Sequence, residues 1–355
     1  MPLAMLCCCS SQGIKGMNLQ HNVMPKHKRY ENYVLLLSFA ALFIIAGFRT
    51  VGFDGDSTNY SLLIEAFAKG DYYNVLLKEP FFWLILLVSK FLFTDVVRSV
   101  FVIFAFCGVS VKLYAIKRLS SYPILSLIVY ICLYFILQEM TQIRVGVASG
   151  IFLLAIPDII NRNLKAFLIK TLIATLFHYS AIIMLLVYLL GSKKKQQVFY
   201  LFLPFLGILL AVLKIGETSL LFCISSLPGF LGSRLVFYFQ LMKLSQHANI
   251  NVFNILYSSL LIIYVFVIVN IRRLEKPIDI LETKIFGWML FSFYFFSFLP
   301  VVSFRISEFI GVVVILLFPS LLSMFRQKVF MAFMIIMYSA GVLIDYIFIQ
   351  KLLNF

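Results

Sequence analysis

Short charged breaks cut this chain into a series of apolar runs, at about 31–48, 80–94, 99–116, 122–140, 145–160, 166–190, 198–214, 251–271, 285–301, 306–324 and 329–349. A bilayer span takes about 20 apolar residues as a helix, and most of the runs approach that length. They are too continuous for the alternating strands of a membrane barrel. In lipid every backbone polar group must be satisfied within its own element, so the predicted fold is all-α, a polytopic transmembrane helical bundle. Composition agrees: apolar residues make up 62% of the 355 residues and mean hydropathy is +1.01. Charged residues are only 13%, where soluble domains carry about 25%.

A net charge of +15 would suit nucleic acid if the cations shared one polar face. Instead they punctuate the apolar runs, as positive-inside signals do. No nucleic-acid partner is expected, and the lipid bilayer is the expected surrounding. The basic breaks are Lys112, Lys117 and Arg118; Arg162 and Lys165; Lys193, Lys194 and Lys195; Arg272, Arg273 and Lys276; and Arg326 with Lys328. Placing all of them inside, with the tail ending Lys26-His27-Lys28-Arg29, gives about nine full spans and a C-terminus outside. Two segments do not fit simple crossings. The run at 80–94 is short for a span and is expected to be re-entrant or interfacial. The run at 166–190 has basic flanks at both ends, so it is expected to break near His178 and return. The domain reading is a cytoplasmic, disordered tail over 1–29 and a single membrane domain over 30–350, with outside loops at 48–79 and 215–250. No signal-peptide pattern precedes the first run, which reads as a retained span. The six cysteines, Cys7 to Cys9 among them, have no metal-ligand spacing, and neither a metal nor a cofactor is expected.

The remaining polar residues fall together on the outer side under this topology. Ionisable groups in or beside membrane helices are costly unless they face water or a partner, so they are candidates for function. Arg144 and Arg305 interrupt apolar runs, and a guanidinium fork binds oxyanions bidentately. Arg49 stands in Gly47-Phe48-Arg49-Thr50-Val51-Gly52-Phe53-Asp54-Gly55-Asp56-Ser57, where Asp54 and Asp56 could bind a hydroxyl or accept its proton, or the segment could be an ordinary capped turn with Asp56 or Ser57 starting the next helix. Glu79 and Glu139 are further carboxylates on that side. His178 is suited either to proton transfer or to a structural hydrogen bond. Gln142, with Arg234 and Tyr238 of the large outside loop, is expected to contact substrate. The chain has no P-loop, no Gly-x-Ser-x-Gly elbow and no His-Glu-x-x-His pair.

Taken in order, Gly47-Phe48-Arg49-x-x-Gly52-x-Asp54-x-Asp56-x-x-x-Tyr60, Glu79-Pro80, Glu139-Met140-x-Gln142-x-Arg144-x-Gly146-x-Ala148, Phe177-His178-x-Ser180-Ala181 and Arg305-Ile306-Ser307 resemble the EpsG-like polysaccharide polymerases. That group is similar to the Wzy polymerases of O-antigen, capsule and exopolysaccharide assembly. The resemblance runs from about residue 40 to 320, with departures at Glu308, where an aromatic residue is expected, and in the long N-terminal tail. It implies a membrane glycosyltransferase with a GT-C-like fold in the bacterial inner membrane, its active site on the outer face. The implied substrates are undecaprenyl-pyrophosphate-linked glycan repeat units, and the implied partners are flippase and chain-length regulator proteins. Arg49, Arg144 and Arg305 would then bind the pyrophosphate, with Asp54, Asp56, Glu79, Glu139 and His178 as catalytic candidates. A lipid-linked glycan flippase or transporter shares the hydropathy, but it would lead one to expect paired interrupted helices in the two halves, which the sequence lacks.

Overall fold

The structure, a computed structural model, describes residues 26–72, 78–225 and 251–354. Their order is α1 (Lys26–Gly47), α2 (Ser57–Ala68), α3 (Pro80–Leu92), α4 (Val96–Leu119), α5 (Pro123–Tyr130) with a π-helical continuation (Ile131–Thr141), α6 (Ile143–Ile160) and α7 (Leu164–Phe177). A 3-10 turn (Tyr179–Ile183) then leads to α8 (Met184–Val187), followed by α9 (Gln197–Val212), α10 (Ile215–Ser225), α11 (Ile255–Val269), α12 (Pro277–Phe295), α13 (Pro300–Gly311), α14 (Val314–Ser320) and α15 (Lys328–Ile344), which ends in a π-helical turn (Asp345–Ile349). The described residues form no strand beyond an isolated bridge between Asp54 and Leu353. Local sequence explains many of the starts. Proline occupies the first turn of α3, α5, α12 and α13, where its missing N–H costs nothing. Asp95, Asn163 and Asn254 accept from a backbone N–H at the starts of α4, α7 and α11.

Among the described residues, five helices are long and apolar enough to cross a membrane, or up to seven if the bent pairs α9–α10 (64°) and α13–α14 (48°) each count as one span. This falls below the nine read from hydropathy for a physical reason. Helix α11 has only 15 residues, and α12 opens with Asp279, Glu282 and Lys284, all buried against neighbouring helices rather than lying in a loop. The stretch Pro123–Thr141 lies at the centre, 78% of its window buried, while the windows of α1 and of Lys328–Ile349 are 22% buried and turn apolar side chains outward. Small residues bring the inner helices together: a Cβ on Gly150 of α6 would lie 2.8 Å from Val111 of α4.

The segment after Arg162 folds back on itself. Helix α7 stops at His178, whose backbone is extended (φ −156, ψ 121). The return brings Tyr188 against Phe167 at 4.7 Å between ring centroids, and Arg162 donates to the carbonyls of Tyr188 (2.7 Å) and Leu190 (3.0 Å). Both flanks of the segment therefore lie at one end of the bundle. The basic breaks meet there too: Lys194 donates to the Arg272 carbonyl at 2.8 Å, Lys276 to Ser121 at 2.6 Å, and Lys284 to the Gly191 carbonyl at 2.7 Å. Helix α3 has 13 residues, short for a span.

One sequence expectation needs correcting. Lys112 belongs to no loop; it is fully buried within α4. Of the stretch 215–250, Ile215–Ser225 form α10 and the rest lies outside the described residues.

Candidate active site

At the end of the bundle away from the basic breaks, the chain leaves α1 through the glycine-rich loop. Gly52 has φ +90, which L side chains rarely adopt, and this lets the loop curl back on itself. Arg49 is buried at its root. It donates Nε to Asp54 Oδ2 at 2.7 Å and Nη2 to the Met140 carbonyl at 2.7 Å, reaches the Ala46 carbonyl with Nη1, and stacks over Phe101 at 4.3 Å. The other oxygen of Asp54 accepts from the backbone of Ser57 (2.9 Å) and Asp56 (3.2 Å), so Asp54, not Asp56, caps α2. Asn354 closes the loop from the far end of the chain, with N and Nδ2 donating to the carbonyls of Phe53 and Gly52, both at 2.8 Å. Arg49 and Asp54 are thus engaged with each other and with the loop they shape.

Glu79 precedes Pro80 at the mouth of α3 and gathers the next group. Its Oε1 lies 2.9 Å from His178 Nδ1, and its Oε2 accepts from Arg144 Nη1. Arg144 reaches Tyr60 Oη at 3.3 Å with Nε and lies over the rings of Phe82 (5.4 Å) and Tyr60 (5.7 Å). Burial disfavours the Glu79 carboxylate, but the His178 hydrogen bond and the Arg144 charge outweigh it and hold the group down at about 2. As an anion it orients both partners. His178 is 6% exposed, and its Nε2 is buried with no hydrogen-bond partner among the described residues.

Asp56 is half-buried beside this group. Burial and the Asp54 charge push its carboxyl up, against the pull of Arg305 and Arg144. Lys78, which the sequence reading passed over, is pushed down by burial and by the charges of Arg144 and Arg305, against the pull of Glu79. Arg305 is exposed on α13 and lines an apolar cavity of about 540 Å³ with Ser180, Ile182, Leu186 and Val301. Lys78, Asp56, Arg144 and Arg305 therefore share one neighbourhood. The signal for Lys78 was its position next to Glu79 in an outside segment.

Glu139 faces inward from this neighbourhood. Its Oε1 meets Lys112 Nζ at 3.2 Å; that ammonium also donates to Gln138 Oε1 at 2.7 Å, and both ionic side chains are almost completely buried. The space exists because residues 108 and 146 are glycines: a Cβ on Gly146 would sit 2.7 Å from Glu139 Oε2, and one on Gly108 would overlap it outright. Gln142 donates to Glu308 Oε2 at 2.6 Å. Asp54, Asp56, Glu79, Gln142, Arg49, Arg144, His178 and Arg305 are thus brought to one end, Glu139 lies deeper, and Arg234 and Tyr238 lie outside the described residues.

The family model described as EpsG family matches residues 32–355. No curated protein and no solved structure matches the chain.

Proposed function

The chain belongs to the EpsG family, and from that premise we propose that it joins undecaprenyl-pyrophosphate-linked oligosaccharide repeat units into O-antigen, capsule or exopolysaccharide on the outer face of the bacterial inner membrane. The observation that carries this reading is Arg305 on the wall of an apolar cavity, in the same charged neighbourhood as Arg144. An apolar groove with cations at its edge suits a ligand with a greasy chain and an anionic head.

In the reaction, an acceptor sugar hydroxyl attacks the anomeric carbon of the donor glycan. Nε2 of His178 takes the hydroxyl proton, with Nδ1–H held on Glu79 so that Nε2 is the free base and the imidazolium is stabilised when it forms. The new bond joins the acceptor oxygen to the anomeric carbon. The bond to the pyrophosphate breaks, and its electron pair leaves with the phosphate, where Arg144 and Arg305 stabilise it. Asp56 is the accessible carboxylate for gripping a sugar hydroxyl. Arg49 and Asp54 shape the loop that carries it, and Gln142, Arg234 and Tyr238 complete the substrate contacts. Flippase and chain-length regulator proteins are the expected neighbours.

The test is the surface glycan of a strain lacking this gene. Accumulation of lipid-linked glycan one repeat long is the expected result. Complete loss of lipid-linked glycan at the outer face would overturn the reading in favour of a flippase.

A further inference from the structure

Helix α13 separates two cavities. Arg305 lines the apolar one already described, and Glu308, one turn on, lines a second of about 720 Å³ between α11, α13 and the end of α15. The second is chemically unlike the first. Its polar wall is Glu308, Asp345, Gln350, Asn251 and Asn254, Tyr257 and Tyr346 also line it, and no lysine or arginine is among its described lining residues. Two carboxylates repel a diphosphate. Carboxylates and amides beside aromatic rings do suit an uncharged sugar, which offers hydroxyls at its edge and C–H groups on its face, and the volume is in the range of small-ligand sites.

Glu308 is held in place from the catalytic side. Its Oε2 takes the Gln142 amide at 2.6 Å, and its backbone carbonyl takes Gln138 Nε2 at 3.0 Å. Gln138 is in turn fixed by Lys112 (2.7 Å) and by Ser149 (2.8 Å). Gln142 lies two residues before Arg144, so Glu308 is tied by one hydrogen bond to the segment that carries the proposed reaction centre.

We propose that this cavity is the subsite for the glycan of the acceptor repeat unit, with Glu308 as the carboxylate that receives its hydroxyls. The assignment rests on the polymerase reading. It places lipid and pyrophosphate on the Arg305 side of α13 and acceptor sugar on the Glu308 side.

The experiment uses membranes holding the full-length protein, preformed lipid-linked polymer as donor, and single lipid-linked repeat units as acceptor. The same repeat-unit glycan, freed from its lipid by mild acid, is added as competitor. Free glycan should inhibit the wild type, and Glu308→Gln should need about tenfold more glycan for equal inhibition and about tenfold more acceptor for half-maximal rate, the loss expected of one hydrogen bond to a charged group. Glu308→Asp should recover part of both. If Glu308→Gln elongates too slowly to assay, ligand-observed NMR of the free glycan with purified Glu308→Gln and Tyr346→Ala replaces kinetics, and both should bind more weakly than wild type. Unchanged competition or binding in both variants overturns the subsite while leaving the polymerase intact. Failure of wild-type membranes to elongate any acceptor overturns the polymerase reading itself.

Discussion

Nδ1 of His178 lies 2.9 Å from Oε1 of Glu79, joining the break after α7 to the mouth of α3 across 99 positions of sequence. Because Arg144 occupies the other oxygen, one carboxylate sets the orientation of both the proposed base and a proposed pyrophosphate ligand. Replacing Glu79 with Gln should lower polymerisation about 10²- to 10⁴-fold, the usual worth of positioned acid–base catalysis, at matched protein levels. Undiminished turnover in membranes would remove the pair from the mechanism.

The same carboxylate sets a pH dependence. Its pKa falls on folding from 4.5 to about 2, so the folded state binds this proton less readily than the unfolded chain. Stability contributed by the group is fully present above about 4.5 and is lost as pH falls toward 2. Thermal unfolding in detergent should show wild type losing more stability across that window than Glu79→Gln. Parallel curves would contradict the depressed value.

The return of the chain at His178 has a topological consequence. With Arg162 bonded to the carbonyls of Tyr188 and Leu190, cysteines introduced at Asn163 and Lys193 should react with an impermeant thiol reagent from the same side of the membrane. Labelling from opposite sides would mean that the segment crosses.

Lys112 and Glu139 form an ion pair with almost no exposure on either side chain. Removing one partner of such a pair strands a buried charge at a cost of about 3–5 kcal/mol, whereas removing both is far milder. Lys112→Met should therefore unfold well below wild type, and Lys112→Met with Glu139→Gln should recover much of the loss. A double variant as unstable as the sum of the singles would argue against coupling.

What was legible in the sequence is what depends on local pattern. The apolar runs gave a helical bundle, and the basic flanks of 166–190 gave its break at His178, because both signals lie within a few turns of chain. Lys112 was placed with Lys117 and Arg118 in a basic break, because the anionic partner that lets it lie inside the bundle is 27 residues away in the chain. The Gln142–Glu308 contact spans 166 positions, and no periodicity reports such a pairing. The nine spans were read from hydropathy alone, and among the described residues five to seven helices or bent pairs have the length and composition of a span, α12 being left out by its Asp279, Glu282 and Lys284. Arg49 was grouped with Arg144 and Arg305 as a third pyrophosphate ligand, and packing sets it apart: Arg49 is sealed by three hydrogen bonds and a ring, while Arg144 keeps an edge toward the neighbourhood of Arg305.

That difference defines the last prediction. Arg305 is exposed beside the apolar cavity, and Arg144 shares its fork between Glu79 and Tyr60. Lysine keeps the charge at either site but replaces a planar fork with a point donor, which cannot grip two phosphate oxygens in register. Losing one such electrostatic contact in a water-poor site costs about 10²-fold in turnover. Arg305→Lys should shorten the polymer by that loss alone, with unfolding temperature unchanged. Arg144→Lys also loosens Glu79, and with it the orientation of His178, so it should lose more activity and some stability. Arg49→Lys should act chiefly on stability, because its partners are Asp54 and the carbonyls of Ala46 and Met140. Polymer length and unfolding temperature, measured for all three variants at matched expression, separate these roles. Wild-type length distributions for both Arg144→Lys and Arg305→Lys would remove these arginines from pyrophosphate binding.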